Sequence, residues 1–259
     1  MKVVICGEFP EKAEENIFHS FPLSWEVHIV PPSGLASELS NADILIPEHV
    51  EINADLLSKA PKLKLVQTGA GYDNVDLKAC TEFGVQACNA AGVNAYAVAE
   101  HVMALILSWY KNIPYLDHFL KDRGEADQLD YTGAELYGKT IGIIGLGHVG
   151  RIVAEYCNAF HMTVLGYSHK LIEMCSVEQV DLDTLFRDSD IISLHVPLTD
   201  STRHLINAET FSKMKPDALL INTSRGGTVD EAALITALEN KDISGACLDV
   251  FETEPLKPD

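Results

Sequence analysis

The stretch TIGIIGLGHVGR, residues 140–151, leaves its backbone few ways to fold. An apolar, β-branched run meets Gly145, Gly147 and Gly150, and VGRIVAEYCNAF follows with apolar residues at helical spacing. A strand that turns at once into a helix needs a residue without Cβ at the turn. It needs a second where backbone approaches a ligand, and a third where helix and strand touch. This context predicts a parallel strand, a tight turn and a helix whose free N–H groups suit a pyrophosphate. Gly145, Gly147, His148, Val149 and Gly150 are therefore candidate dinucleotide-binding residues. A plain strand–helix turn without a ligand is the alternative.

The same alternation runs along the rest of the chain. KVVIC, EVHIV, ADILIP, LKLVQT and GVQAC read as strands separated by polar or helix-forming stretches. A helix is expected from about Ala95 to Lys111. The polar LKDRGEADQLDYTGAELYGK then reads as a boundary segment. A second series follows, TIGIIG, TVLGYS, DIISLHV, ALLINTS and GACLDV, with helices near 148–160, 182–187, 207–214 and 230–240. The expected fold class is α/β, with two Rossmann-like doubly wound parallel-sheet domains flanking a cleft. Residues 1–94 form the first domain and 95–259 the second, whose leading helix also serves as linker.

Charge excludes several partners. A formal net charge of -19 argues against nucleic acid and anionic membranes. The most apolar stretch, AVAEHVMALILSWY, carries Glu100 and His101 and falls short of a membrane span. The start, MKVVICGEFP, is too brief an apolar run for a signal sequence. Six cysteines form no C-x-x-C pair, so buried reduced thiols, no metal site and a cytoplasmic location are expected.

The strand TVLGY ends at Tyr167, where an NAD site would place an acid for the ribose hydroxyls. Ser168, His169 and Lys170 stand there instead. Serine and lysine would accept a 2′-phosphate by hydrogen bond and charge, which tilts the NAD(P) reading toward NADP. The alternative is an ordinary solvent-facing loop with NAD bound regardless.

GLGHVGR, SLHVPLTDSTRHLIN, LLINTSRGGTVDEAAL and GACLDVFETEP stand in this order, preceded by LKLVQTGAGYDNVDL and VNAYAVAEHVMALIL. Together they resemble the D-isomer-specific 2-hydroxyacid dehydrogenases, which include phosphoglycerate dehydrogenase, D-lactate dehydrogenase and glyoxylate/hydroxypyruvate reductases. The resemblance covers the chain from about Leu63 onward. It implies hydride transfer between NAD(P)H and a small 2-oxo acid. Arg225, after the strand ALLINTS, would bind the substrate carboxylate and polarise its keto oxygen. Ala70 and Gly71 would hold that carboxylate by backbone N–H groups. Thr223, Ser224 and Asp249 would face the nicotinamide end, and His195, Val196 and Pro197 would touch the coenzyme. For His195 a purely structural role is the alternative. The long helix near 95–112 implies a homodimer.

Glu254, before Pro255, matches the family's glutamate that raises the pKa of a catalytic histidine. Glu252 is expected to be solvated. In the family that histidine lies beyond this proline, and none of the chain's ten histidines follows Glu254. The expectation is that the sequence stops short of the full protein, lacking the histidine and the family's returning C-terminal helix. Two rival readings share the fold: a dinucleotide-sensing binding module, as in the C-terminal-binding-protein corepressors, and a fragment that binds coenzyme only.

Overall fold

The structure, a computed structural model, describes residues 1–48, 50–123 and 132–256. It contains two compact units, Met1–Val93 and Asn94–Asp259. In the first, strands β1 (Lys2–Cys6), β2 (Glu26–Val30), β3 (Ile44–Pro47), β4 (Leu65–Thr68) and β5 (Gln86–Asn89) form an all-parallel sheet in the order β2-β1-β3-β4-β5. Helices α1 (Glu11–His19), α2 (Leu35–Glu38), α3 (Ala54–Ser58) and α4 (Leu77–Glu82) belong to the connections. Asn53 and Asp76 start α3 and α4 by accepting the N–H groups of Leu56 and Ala79, as N-cap side chains do. Val4, Leu45 and Val66 from adjacent strands join Leu35, Leu57 and Ala79 in one buried cluster.

The second unit opens with α5 (Ala95–Tyr110) and α6 (Ile113–Arg123). Then come β6 (Thr140–Ile144), α7 (His148–Ala159), β7 (Thr163–Tyr167), β8 (Glu178–Gln179), α8 (Leu182–Asp188) and β9 (Ile191–Leu194). α9 (Ala208–Phe211), β10 (Leu219–Asn222), α10 (Glu231–Asn240) and β11 (Gly245–Leu248) complete it. The parallel sheet has the order β11-β10-β9-β6-β7-β8. The chain runs outward from β6 through β7 to β8, then jumps back to β9 and runs the other way. The carboxyl ends of β6 and β9 therefore lie at a topological switch point, where open α/β sheets bind ligands.

Alternation along the strands buries both faces. Ile141, Ile143, Leu219 and Ile221 pack with Ala99, Val102 and Ile106 of α5 and Val153 and Cys157 of α7. Ile144, Ile192, Leu194 and Leu220 pack on the other face with Leu185 of α8 and Leu234 of α10. At Gly142 a Cβ would run into Leu185 and Ser189, so α8 sits closer to β6 than any larger residue permits.

Several sequence expectations need correction. α6 and the two-residue β8 were not foreseen, because neither carries a clear apolar period. The polar boundary segment begins inside α6, and its residues 124–131 lie outside the described part. Cys6, Cys80 and Cys157 are buried, and burial pushes the Cys157 thiol up to about 12, but Cys88 and Cys175 are exposed. β5 is an edge strand, and alternation turns Cys88 outward. Among the described residues no helix is long and apolar enough to cross a membrane, and no cluster of acidic, His or Cys side chains could hold a metal ion.

One carboxylate ties three strands together at their amino ends. Asp190 accepts the Thr140 N–H at 2.7 Å and the Lys215 ammonium at 2.9 Å. Its own N–H bonds Thr140 O, and its carbonyl accepts from Leu219. Burial alone would raise its pKa, but the bonds from Lys215 and Thr140 outweigh burial and hold it below the ordinary value. Asp190→Ala should cost about 2 kcal/mol at pH 7 by leaving a backbone donor and an ammonium without their acceptor. Because the native pKa is depressed, this stabilisation is present above the unfolded value of about 4 and fades as pH falls through the native one. Urea unfolding of both proteins at pH 7 and near pH 3 checks this: a deficit that does not shrink in acid contradicts the assignment.

Candidate dinucleotide-binding site

The turn after β6 is built from two backbone collisions avoided. Gly145 has φ +103, a left-handed conformation, and a Cβ there would strike the carbonyl of His195. A Cβ on Gly150 would strike the carbonyl of Gly145. These glycines bring β6, the first turn of α7 and the end of β9 into contact. Gly147 differs: nothing lies within 4 Å of where its Cβ would be. It is the N-cap of α7 and no side chain caps the helix there. The twelve-residue helix thus begins with a glycine facing open space, and its first N–H groups suit an anion. Arg151 Nε donates to Leu146 O at 3.1 Å and braces the turn from within the helix.

A cavity of about 350 Å³ opens at this switch point. Of the residues singled out in the sequence, Gly145, Gly147, Ser168, His169, His195, Val196 and Pro197 line it. Leu182 and Leu205 add an apolar patch of the kind a nucleobase can lie against, and Ser201 and Thr202 add hydroxyls. Thr202 Oγ1 donates to Pro197 O at 2.6 Å, which folds the segment after β9 back on itself. Sequence reading missed these four. The polar TDST after an apolar strand end was a signal, but which of its side chains turn inward depends on the loop's path.

His195 has a partly covered ring whose desolvation pulls its pKa down to about 4, so the imidazole is neutral at physiological pH. Its Nε2 lies 2.9 Å from Ser193 Oγ. His148 is exposed in the first turn of α7, Val149 packs partly against the core, and Gly150 is buried beneath the turn. Lys170 is exposed outside the cavity lining.

Thr223, Ser224 and Arg225 follow β10 at its carboxyl end. Buried Asn222 organises them: its Oδ1 accepts the Ser224 N–H and hydroxyl, and its Nδ2 donates to Arg225 O. Thr228 Oγ1 donates to the same carbonyl at 2.7 Å. A Cβ at Gly226 would overlap the backbone of Phe251 and Glu252, so the segment after β11 lies directly on this loop. Arg225 Nη1 donates to Ser224 O at 2.6 Å, curling the half-buried guanidinium back toward its own loop. Thr223 Oγ1 is buried without a hydrogen-bond partner, the one such side-chain atom among the described residues. A buried hydroxyl costs free energy unless something bonds to it.

Asp249 donates its N–H to Asn222 O, and its carboxylate lies 3.5 Å from His101 Nε2 of α5. Glu254 accepts the Phe251 N–H at 2.8 Å and closes the turn after β11. Glu252 is exposed, as expected, and is also paired. Its carboxylate meets His204 Nε2 at 2.5 Å, and its N–H donates to Glu231 at 2.6 Å. The close passage at Gly226 brings Glu252 to this pairing, which the sequence separation conceals. In the first unit, Ala70 and Gly71 lie in the segment after β4, where Asn89 Nδ2 donates to Ala70 O at 2.8 Å.

The glycines predict separable effects. Gly147→Ala fills open space, so the thermal midpoint should stay within about 2 °C while NAD(P)H affinity falls about tenfold, the loss of about 1.4 kcal/mol. Gly150→Ala should instead lower the midpoint by several degrees, as overpacking costs about 1–3 kcal/mol. Thermal melts and coenzyme titration check both; the reverse pattern contradicts the assigned roles.

Comparison with known proteins identifies the family. The family described as D-isomer specific 2-hydroxyacid dehydrogenase, NAD binding domain, matches residues 103–259. D-3-phosphoglycerate dehydrogenase of Methanocaldococcus jannaschii is 42% identical over 230 residues, covering 86% of this chain and 44% of that protein. The chain thus spans less than half the length of that relative. Glyoxylate reductase of Aeropyrum pernix is 41% identical over 264 residues, covering 96% of this chain and 78% of the reductase. Among solved structures, D-lactate dehydrogenase from Aquifex aeolicus complexed with NAD and lactic acid superposes with a TM-score of 0.88 at 33% identity, covering 97% and 78%. An acyclic imino acid reductase in complex with NADPH and D-Arg superposes at 0.89 with 32% identity, covering 100% and 85%. The chain belongs to the D-isomer specific 2-hydroxyacid dehydrogenase family.

Proposed function

We propose that this chain carries out the hydride-transfer chemistry of an NAD(P)-dependent D-2-hydroxyacid dehydrogenase, acting on a small 2-oxo acid and its D-2-hydroxy acid. The bound coenzyme supplies or accepts the hydride. The chain's residues position both reactants and manage charge. The observation that carries this reading is Arg225, half-buried and held at the carboxyl end of β10 by the Asn222 bonds. A planar guanidinium at that end binds a carboxylate through two N–H groups and stabilises negative charge growing on the adjacent keto oxygen. Relatives named glyoxylate reductase and hydroxypyruvate reductase support a substrate with those two groups.

The other roles follow on the same reading. The Ala70–Gly71 backbone offers N–H groups to the substrate carboxylate. Thr223 finds the partner its hydroxyl lacks at the nicotinamide end, with Ser224 next to it in sequence and Asp249 brought near by its N–H bond to Asn222 O. Glu254 is the carboxylate that would keep the family's histidine proton donor charged for the alkoxide; that histidine follows Glu254 in the family and is not among this chain's ten. A dinucleotide-sensing module would need the coenzyme residues but could dispense with Arg225. In a version of the chain that carries the histidine after Glu254, Arg225→Ala should lower kcat/KM for glyoxylate or hydroxypyruvate more than ~100-fold, about 3 kcal/mol of transition-state stabilisation, with NAD(P)H Kd within about twofold. Steady-state kinetics and coenzyme titration decide it. Unchanged kcat/KM sinks the assignment.

For the coenzyme, NADP is the favoured form. Ser168 is half-buried in the cavity lining at the end of β7, followed by exposed His169 and Lys170, with no carboxylate among them to repel a 2′-phosphate. One similar structure holds NADPH and another holds NAD. Ser168→Asp should shift the NADPH/NADH ratio of kcat/KM toward NADH by about tenfold or more, since the new carboxylate bonds ribose hydroxyls and repels phosphate. An unmoved ratio contradicts this role for Ser168.

A further inference from the structure

We infer that Gln179 is a positioning residue that sets discrimination at the coenzyme's ribose 2′ position, through its grip on the loop 168–172. The inference rests on the assignment of Ser168 and its neighbours to the ribose end of the site. Telling a 2′-hydroxyl from a 2′-phosphate requires donors placed within about 0.5 Å of their working positions. Residues 168–172 form no helix or strand that would hold them so. One side chain bonds across that loop instead. Gln179 Nε2 donates to Lys170 O at 2.9 Å and, more weakly, to Ser168 O at 3.5 Å. Its Oε1 accepts the Ile172 N–H at 2.8 Å.

The location of Gln179 gives β8 a purpose. That strand is only two residues long, and it pairs Gln179 beside Gly166 of β7, one residue before Tyr167. Val180 N–H adds a bond to Gly166 O at 3.0 Å. A Cβ at Gly166 would strike Val177 and Leu146, so glycine there permits the close packing. The edge strand thus seats one amide under the loop from a fixed sheet position. The grip needs a donor and an acceptor on one planar group, which an amide supplies; a carboxylate lacks the donor and an ammonium lacks the acceptor. Gln179 itself does not line the cavity, whereas Ser168 and His169 do. Leu182, Leu205 and Pro197, at the apolar side of the cavity, make none of these bonds. Removing the amide should disturb the 2′ end and spare the nucleobase end.

The experiment measures binding of 2′,5′-ADP and 5′-AMP to the full chain by calorimetry, for wild type, Gln179→Ala and Gln179→Glu. In Gln179→Ala the ratio of the two affinities should move by at least about fivefold, the weight of about one net hydrogen bond, with 5′-AMP affinity within about twofold. Gln179→Glu keeps the acceptor for Ile172 and should fall between. If Gln179→Ala proves unstable by thermal melt, a shifted ratio in a stably folded Gln179→Glu supports the inference and an unchanged one overturns it. Equal weakening of both ligands, or an unmoved ratio, overturns the positioning role outright. A wild type that favours 5′-AMP, with a ratio that still moves in the variants, would overturn the NADP reading and leave the role of Gln179 standing.

Discussion

The second unit depends on one close approach of backbone to backbone, that of Gly150 to the carbonyl of Gly145. Any Cβ at Gly150 would push α7 away from β6. α7 carries Val153, Ala154 and Cys157 into the same core as α5, so a displaced helix would open that core along its length. The contact of Gly145 with the His195 carbonyl extends the constraint to β9, the strand across the switch point. Helix start, cavity wall and sheet interior are therefore set by one turn. The turn is left clear at Gly147, where a Cβ would meet open space rather than protein.

A second constraint governs polar groups near the strand ends. Asn222 is almost fully buried, yet both ends of its amide are used, and the bonds they make define the loop that bears Arg225. Against that background the Thr223 hydroxyl stands out, because its neighbours are satisfied and it is not. His195 follows similar physics in another form: with its ring desolvated it stays neutral, and Ser193 occupies its Nε2. A neutral imidazole adds no charge beside the glycine turn.

Much of this was legible in residue order. Parallel α/β architecture follows from apolar runs alternating with helical periods, and the tight turn between β6 and α7 follows from glycine spacing in a strand–helix context. Arg225 and Glu254 were singled out through the motifs that surround them, not through anything their own side chains reveal. Other features were not legible for definable reasons. β8 is too short to carry a period, and its worth lies in pairing with Gly166. Cys88 reads as apolar company in sequence, but an edge strand turns it to solvent. Glu252 reads as one more acid on an acidic chain until the backbone at Gly226 brings it to His204.

By itself the sequence determined which backbone conformations were open: where strands form, where glycine alone can turn, and which helix begins with free N–H groups. These are local matters, decided by Cβ sterics and apolar period within a dozen residues. Tertiary structure decided what distant residues do to one another. It put Gln179 under the 168–172 loop, Asp190 between Thr140 and Lys215, and the Leu182 and Leu205 side chains on one cavity wall. Such contacts depend on strand order and on the switch between β6 and β9. Hydrogen bonding and desolvation act over a few ångströms in space, whatever the separation along the chain.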